Sequence, residues 1–162
     1  MDVSGTFHDL VADLDYPMLI VTVRAGSERA GCLVGFACQT SIAPPRFLIC
    51  LSRKNRTYLV ARHADVLAVH FVPRHAAALA ELFGGQTGDE VDKFAHCEWR
   101  DGPAGLPILR ECGNWFAGTV LEQLDLGDHV GFLLEPAQAH REPAEGYFDF
   151  YRAKRIEPGH PA

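Results

Sequence analysis

The hydrophobic positions of the chain fall into short apolar runs, separated by turn residues, that predict β-strands. The first two runs are separated by a turn at residues 25–27, and the second contains Gly31 and Gly35, which suggest bends. The longest run predicts an antiparallel hairpin that turns at residues 125–128. The strand-like segments are DYPMLIVTVRAG, AGCLVGFACQTSI, RFLICL, VLAVHFV, NWFAGTVLEQLDLGDHVGFLLEPAQAH and YFDFYR.

Helical periodicity is confined to short segments between these strands. The segment NRTYLVARHAD predicts a helix with Asn55 as its N-cap, and PRHAAALAELFGG predicts one between Pro73 and Gly84–Gly85. A further short helix is predicted for DEVDKFAH, and one for residues 1–14. Six or so strands with few helices favour a mainly β fold, a small antiparallel barrel with short peripheral helices. A parallel βαβ fold is less favoured, because strands and helices do not alternate after residue 96.

Composition narrows the class of protein. The 162 residues fit a single domain, 1–162, with its core at about 15–138, the helix 1–14 before it and a C-terminal strand or tail at 139–162. A net charge of -6 without a basic stripe argues against nucleic-acid binding, and the apolar runs are too short to cross a membrane. An acidic N-terminus is unlike a secretory signal, so we expect a cytoplasmic protein. The five cysteines lack metal-site spacing, which predicts buried, reduced thiols and no metal site.

Three cations crowd into the loop after the third apolar run. Arg53, Lys54 and Arg56 precede or begin the helix that Asn55 is expected to cap. Unpaired amides at a helix start, together with fork-shaped and point cations, favour a phosphate. The alternative is an ordinary solvated charged turn, and the spacing alone leaves both open.

The order of these elements resembles the flavin reductase-like family, which has the FMN-binding split β-barrel fold, a Greek-key-like antiparallel barrel of six strands. The resemblance lies in GCLVGFACQTSIAPPRFLICLSRKNRT, LAVHFV, LFGGQTGDEVDKF and GLPILRECGNWFAGTVLEQLDLGDHVGFLLEP, taken in order. It covers roughly residues 15–138. No single motif decides it, but the ordered set is specific.

The resemblance implies FMN or FAD held at a homodimer interface. Residues 54–57 would hold the phosphate, and residues 38–41 would follow the ribityl chain and ring edge, where donors favour the reduced flavin. His129, in Gly-Asp-His, would face the nicotinamide; the alternative is a structural residue after a hairpin turn. The expected cofactor-binding residues are Cys38, Gln39, Thr40, Ser41, Ser52, Lys54, Asn55, Arg56, Thr57 and His129.

The activity that the resemblance implies is hydride transfer from NADH or NADPH to FMN or FAD, with reduced flavin passed to a partner monooxygenase. The alternatives are a non-catalytic flavin carrier or sensor, a split-barrel oxidoreductase that uses a deazaflavin, and a dimeric domain without a ligand. The chain departs from the family at residues 33–38, Leu-Val-Gly-Phe-Ala-Cys, where hydroxyl side chains are common. This departure leaves open whether flavin is a prosthetic group or a substrate.

Overall fold

A computed structural model describes residues 2–159 of the chain. Most of these residues form strands, and the helices are short. The strands are β1 Leu19–Ala25, β2 Glu28–Val34, β3 Ala37–Ser41, β4 Arg46–Ser52, β5 Val66–Phe71, β6 Trp99–Asp101, β7 Pro107–Leu109, β8 Trp115–Asp125 and β9 His129–His140. The helices are α1 Val3–Ala12, α2 Arg56–Ala61, α3 Ala77–Gly85 and α4 Phe150–Ala153, with 3₁₀ turns at Lys93–His96 and Pro103–Gly105.

Seven strands form one antiparallel sheet in the order β2-β1-β5-β8-β9-β4-β3. Only Gly35 and Phe36 separate β2 from β3, and the amide of Cys50 on β4 donates to the Phe36 carbonyl (2.9 Å). The two edge strands are therefore halves of one bent strand, which pairs with β1 before the bend and with β4 after it. With β2 and β3 counted as one strand, the sheet curls into the six-stranded barrel that the sequence predicts. Because β5 returns to β1 rather than β4, the order is of the Greek-key kind.

The barrel interior is filled by the inward-facing apolar residues of its strands. Ile49, Leu67, Phe132 and Leu134 are fully buried there. A second apolar cluster lies outside the barrel, where α3 packs Phe83 and Ala80 beside the end of the chain. Residues of β2 therefore pack against apolar clusters both inside and outside the barrel.

A short two-stranded ribbon, β6–β7, is fixed to the barrel by a buried histidine. The ring of His70 on β5 is fully buried, and its Nε2 accepts from the Leu109 amide (3.1 Å). Nδ1 therefore carries the proton and donates to the Ile20 carbonyl (3.0 Å). Burial lowers the pKa of His70 to about 4. His70 is thus a hydrogen-bonded residue of the core.

Several sequence predictions of local structure hold. The hairpin turns between β8 and β9 at residues 126–128, and His129 begins β9. The Asn55 side chain accepts from the Thr57 amide (2.9 Å), so it is the N-cap of α2 as predicted. Residues 93–96 form a 3₁₀ turn rather than an α-helix.

The prediction of a C-terminal strand at YFDFYR is wrong. Tyr147 and Asp149 form only isolated bridges, with Pro73 and Pro17. The flanking residues make the backbone bonds of each bridge, such as the Phe148 amide to the Val72 carbonyl (2.8 Å) and the Met18 amide to the Phe148 carbonyl (2.8 Å), but neither bridge continues into a ladder. The Asp149 carboxylate then accepts from the Arg152 amide (3.0 Å), which starts α4 instead. Pro73 consequently lies in a bridge, and α3 begins only at Ala77.

All five cysteines are free thiols. Cys32 and Cys112 are buried as expected, but Cys50 and Cys97 are half-buried and Cys38 is exposed. Between residues 2 and 159, no three His, Cys, Asp or Glu side chains are arranged to hold a metal ion. The same part of the chain contains no helix long and apolar enough to cross a bilayer.

Candidate functional site

The bend between β2 and β3 creates a notch in the barrel wall. Gly35 lies so close to the body of the protein that a Cβ there would be 3.1 Å from the Tyr16 ring and 3.3 Å from the Met18 methyl group. The next residue, Phe36, has its backbone fixed by the bond from Cys50 but leaves its side chain 58% exposed. A large aromatic ring therefore projects from a rigid backbone at the notch.

Aromatic side chains line the cavity beneath this notch, which we call the aromatic cavity (≈ 200 Å³; lined by Tyr16, Gly35, Phe36, Ser52, Asn55, His129 and Phe150 among others). The Phe36 and His129 rings lie 5.0 Å apart at 52°. Tyr16 and Phe150 are stacked, with centroids 4.8 Å apart and planes 10° from parallel. The Ser52 and Asn55 side chains add polar groups. Such a cavity suits a flat, largely apolar ring with polar edges.

The loop after β4 and the hairpin turn before β9 form one structure beside this cavity. Ser52 pairs with His129 across β4 and β9, and the Arg53 amide donates to the Asp128 carbonyl (3.0 Å). The His129 Nδ1 donates to the Asp128 carboxylate (2.7 Å), which leaves Nε2 for a ligand. This hydrogen bond, with His129's charge and a weaker contribution from Lys54, lowers the pKa of Asp128.

Two of the three cations of this loop, Arg53 and Arg56, form ion pairs with carboxylates. Arg53 bonds Asp125 (2.6 Å) and the Gly127 carbonyl (3.0 Å), and the bond from Arg53 is the main cause of a lowered Asp125 pKa. Arg56 bonds Glu28 and lies 3.9 Å from Asp89. The sequence could not reveal these pairs, because the carboxylates come from distant segments.

A second cavity, here the polar cavity, lies on the other side of α2 (≈ 270 Å³). Arg56, the buried Thr57 and Lys93 line it. Lys93 is only 4% exposed, and its Nζ donates to the carbonyls of Gly31 (2.9 Å) and Phe83 (3.0 Å). Burial lowers the pKa of this amine, while the nearby Cys32 opposes that shift. Lys93 thus donates a hydrogen bond to a backbone carbonyl of β2 at the edge of that strand that faces away from β1.

The sequence model of the Flavin reductase like domain matches residues 11–155 of the chain. The chain belongs to the flavin reductase-like family. The resemblance described above is therefore confirmed.

Two similar curated proteins are both named FMN reductase (NADH) RutF. FMN reductase (NADH) RutF of Acinetobacter baylyi is 26% identical over 152 residues, which cover 94% of this chain and 80% of that protein. The RutF of Agrobacterium fabrum is 31% identical over 126 residues, 78% of this chain and 72% of that protein.

Solved structures share the fold. NADH:FAD oxidoreductase SgcE6 of Streptomyces globisporus C-1027 superposes with a TM-score of 0.82 at 24% identity, covering 91% of this chain and 88% of that one. Nitrilotriacetate monooxygenase component B of Mycobacterium thermoresistibile does so with a TM-score of 0.80 at 20% identity, covering 98% and 92%. These likenesses confirm the split-barrel fold expected of the family.

The structure distributes the family-based site residues over three places. Ser52, Asn55 and His129 line the aromatic cavity, and Arg56 and Thr57 line the polar cavity. Lys54 is exposed and lines neither cavity. The remaining four lie on β3, whose outer edge is unpaired: Cys38, Gln39 and Thr40 are exposed and Ser41 is half-buried.

Sequence reasoning did not assign three aromatic residues of the cavity. Phe36 follows a glycine in the middle of an apolar run, and that pattern was a usable signal for a bend with a projecting ring. Tyr16 and Phe150 come from opposite ends of the chain, and nothing local in the sequence pairs them.

Proposed function

We propose that this protein is an NADH-dependent flavin reductase whose flavin ring binds in the aromatic cavity. The observation that carries the proposal is the cavity itself, which is lined by the neighbouring Phe36 and His129 rings, the stacked Tyr16 and Phe150 rings, and the polar Ser52 and Asn55. Family membership supports it, as do relatives named FMN reductase (NADH). A bound flavin would supply the N5 atom that accepts hydride from nicotinamide C4.

The side chains present fit an isoalloxazine ring. Phe36 offers an exposed aromatic face, and the absence of a side chain at Gly35 leaves the notch open. Ser52 and Asn55 would hydrogen-bond the polar ring edge. His129, oriented by Asp128, would contact the nicotinamide with its free Nε2. Hydride transfer depends on stacking and distance, so these residues act by positioning both rings and excluding water.

We propose further that two copies of the chain enclose the site. The outer edge of β3 is unpaired, and Cys38, Gln39, Thr40 and Ser41 lie along it next to the notch. A second copy over this edge would enclose the flavin's ribityl chain between the protomers. The flavin phosphate would lie near residues 54–57. Because a similar structure is a monooxygenase component, the reduced flavin is proposed to serve a partner monooxygenase.

The test is nicotinamide oxidation by the purified protein with FMN or FAD and NADH or NADPH. We expect turnover with NADH, followed by the loss of nicotinamide absorbance. In His129→Ala the KM for NADH should rise while flavin binding is mostly kept, and Leu121→Ala, an exposed position on β8, should behave as wild type. Failure of all four combinations would reject the reductase. Flavin-induced stabilisation without turnover would indicate a carrier or sensor instead.

A further inference from the structure

We infer that the polar cavity is a subsite for the adenosine half of FAD, so that this chain binds FAD more tightly than FMN. The inference rests on the proposed function, because it takes a flavin as the ligand of the aromatic cavity. It assigns a place to the part of FAD that FMN lacks.

The two cavities follow one another along β2. Residues 28–31 line the polar cavity, and residues 32–36 line the aromatic cavity. The boundary between them falls at the start of α2, where Asn55 lines the aromatic cavity and Arg56 and Thr57 line the polar one. The seven residues of β2 span roughly 20 Å, since a strand rises about 3.3 Å per residue. A ligand as long as a dinucleotide can therefore occupy both cavities.

The proposed position of the flavin phosphate, residues 54–57, lies at this boundary. Lys54 is exposed and forms no ion pair with any residue between 2 and 159, unlike Arg53 and Arg56. Its ammonium group is therefore available to a pyrophosphate. Because the pyrophosphate of FAD joins the flavin to the adenosine, a pyrophosphate bound here leaves one half of FAD on each side of the start of α2.

Arg29 supplies a stacking surface in the polar cavity. It is exposed, and among the residues that the structure describes no carboxylate pairs with it. Its guanidinium lies over the Trp99 ring, 4.5 Å from the centroid, and 6.0 Å from that of Phe94, which lines the same cavity. Guanidinium groups stack on aromatic rings and on nucleobases. With Trp99 on one face, Arg29 can stack adenine on the other.

The carboxylates of the polar cavity suit an adenosine better than a phosphate, because adenosine is neutral and its ribose hydroxyls and amine donate hydrogen bonds. Glu28 and Asp89 lie beside Arg56, and Asp92 accepts from a backbone amide of the turn that follows it. Glu90 is exposed, and its side chain has no hydrogen bond or ion pair within the described part of the chain. A carboxylate accepts well from ribose hydroxyls, so Glu90 is the residue that would hold the ribose.

The first test measures binding alone, by isothermal titration calorimetry with FAD, FMN and riboflavin in the absence of nicotinamide. We expect FAD to bind at least about tenfold more tightly than FMN, because adenine stacking is added to the same ring contacts. Dissociation constants of FAD and FMN within about threefold of each other would overturn the inference.

AMP is the probe for the polar cavity by itself. We expect added AMP to raise the apparent dissociation constant of FAD and to leave that of riboflavin unchanged, because only FAD would share the cavity with AMP. AMP that competes with neither flavin, or with both equally, would contradict the inference.

The next test removes the stacking surface by mutation. Arg29→Ala should weaken FAD binding about tenfold and leave FMN binding unchanged, and Arg29→Lys should stay weak because it keeps the charge without the planar group. Arg110→Ala removes an exposed arginine that lines neither cavity and is the matched control. Equal losses for FAD and FMN in Arg29→Ala, or full FAD affinity in Arg29→Lys, would reject the subsite.

NADH also carries an adenosine, and the same variant separates the two ligands. If the adenosine of NADH occupied the polar cavity, Arg29→Ala would raise the KM for NADH and leave FAD binding unchanged. That result would overturn the inference.

The two proposals fail in different ways. An FAD preference that depends on Arg29, without nicotinamide oxidation, would reject the reductase and leave the adenosine subsite standing. Turnover that uses FMN and FAD equally and is unchanged in Arg29→Ala would support the reductase and reject the subsite.

Discussion

Acidification should destabilise the fold through His70, and the size of this effect follows from the structure. His70 is fully buried as the neutral ring, with Nε2 accepting from Leu109 and Nδ1 donating to Ile20. Protonation of Nε2 would replace an acceptor by a donor facing an amide proton. Burial, which disfavours the charged ring, lowers the folded-state pKa to about 4, against 6.5 for an ordinary histidine, and the hydrogen bond to Ile20 opposes this shift.

The sign of the effect follows from proton linkage. Because the folded pKa of His70 lies below the unfolded value, the unfolded chain binds more protons between the two. The free energy of unfolding is therefore undiminished above the unfolded pKa and falls as the pH drops toward the folded pKa. Each pKa unit corresponds to about 1.36 kcal/mol. The free energy of unfolding is therefore lower by about 2 kcal/mol at about pH 5 and by about 3 kcal/mol near the folded pKa.

The assay is urea unfolding near neutral pH and at about pH 5, for wild type and for His70→Gln. Glutamine keeps one donor and one acceptor but does not titrate, so its loss of stability on acidification should be smaller by about 2 kcal/mol. Exposed carboxylates such as Asp125 and Asp128 titrate alike in both proteins and cancel in the difference. Equal losses in the two proteins would refute the assignment of this linkage to His70.

Three further substitutions test the framework of the site. Gly35→Ala should lower the stability by about 1–3 kcal/mol and weaken flavin binding, because its Cβ would press on Tyr16; an unchanged melting temperature would contradict the close packing at the notch. Lys93→Met should cost about 1–3 kcal/mol in denaturant unfolding, because the Gly31 carbonyl loses its partner, and a neutral result would show that water replaces the amine. Asn55→Ala should lower the free energy of unfolding by about 1 kcal/mol, because the N-cap of α2 is lost. Asn55→Asp keeps an oxygen that can accept from Thr57 and should therefore retain most of the stability. Equal losses of stability in the two variants would assign another role to this side chain.

Local signals in the sequence predicted much of the fold. The polar residues between two long apolar runs located the β8–β9 turn, and Asn55 before a helical segment identified an N-cap. In these cases the determining groups lie within a few residues of each other.

Features that depend on contacts between distant segments could not be predicted from the sequence. The cation cluster at Arg53 and Arg56 predicts a phosphate site, but the sequence does not show that Glu28, Asp89 and Asp125 pair with these cations. The alternating pattern at YFDFYR was misleading because the Asp149 side chain starts a helix within it. The pairing of Tyr16 with Phe150 required the folded chain. The charge pattern along the chain therefore did not reveal the carboxylates that lie beside these cations.

At the bend, the main chain and the side chain of Phe36 have separate roles. The main chain there closes the barrel, since its carbonyl completes the seam with β4, while the side chain points out of the packed interior. Exchange of that one side chain would therefore change the lining of the aromatic cavity while leaving the hydrogen bond that closes the barrel in place.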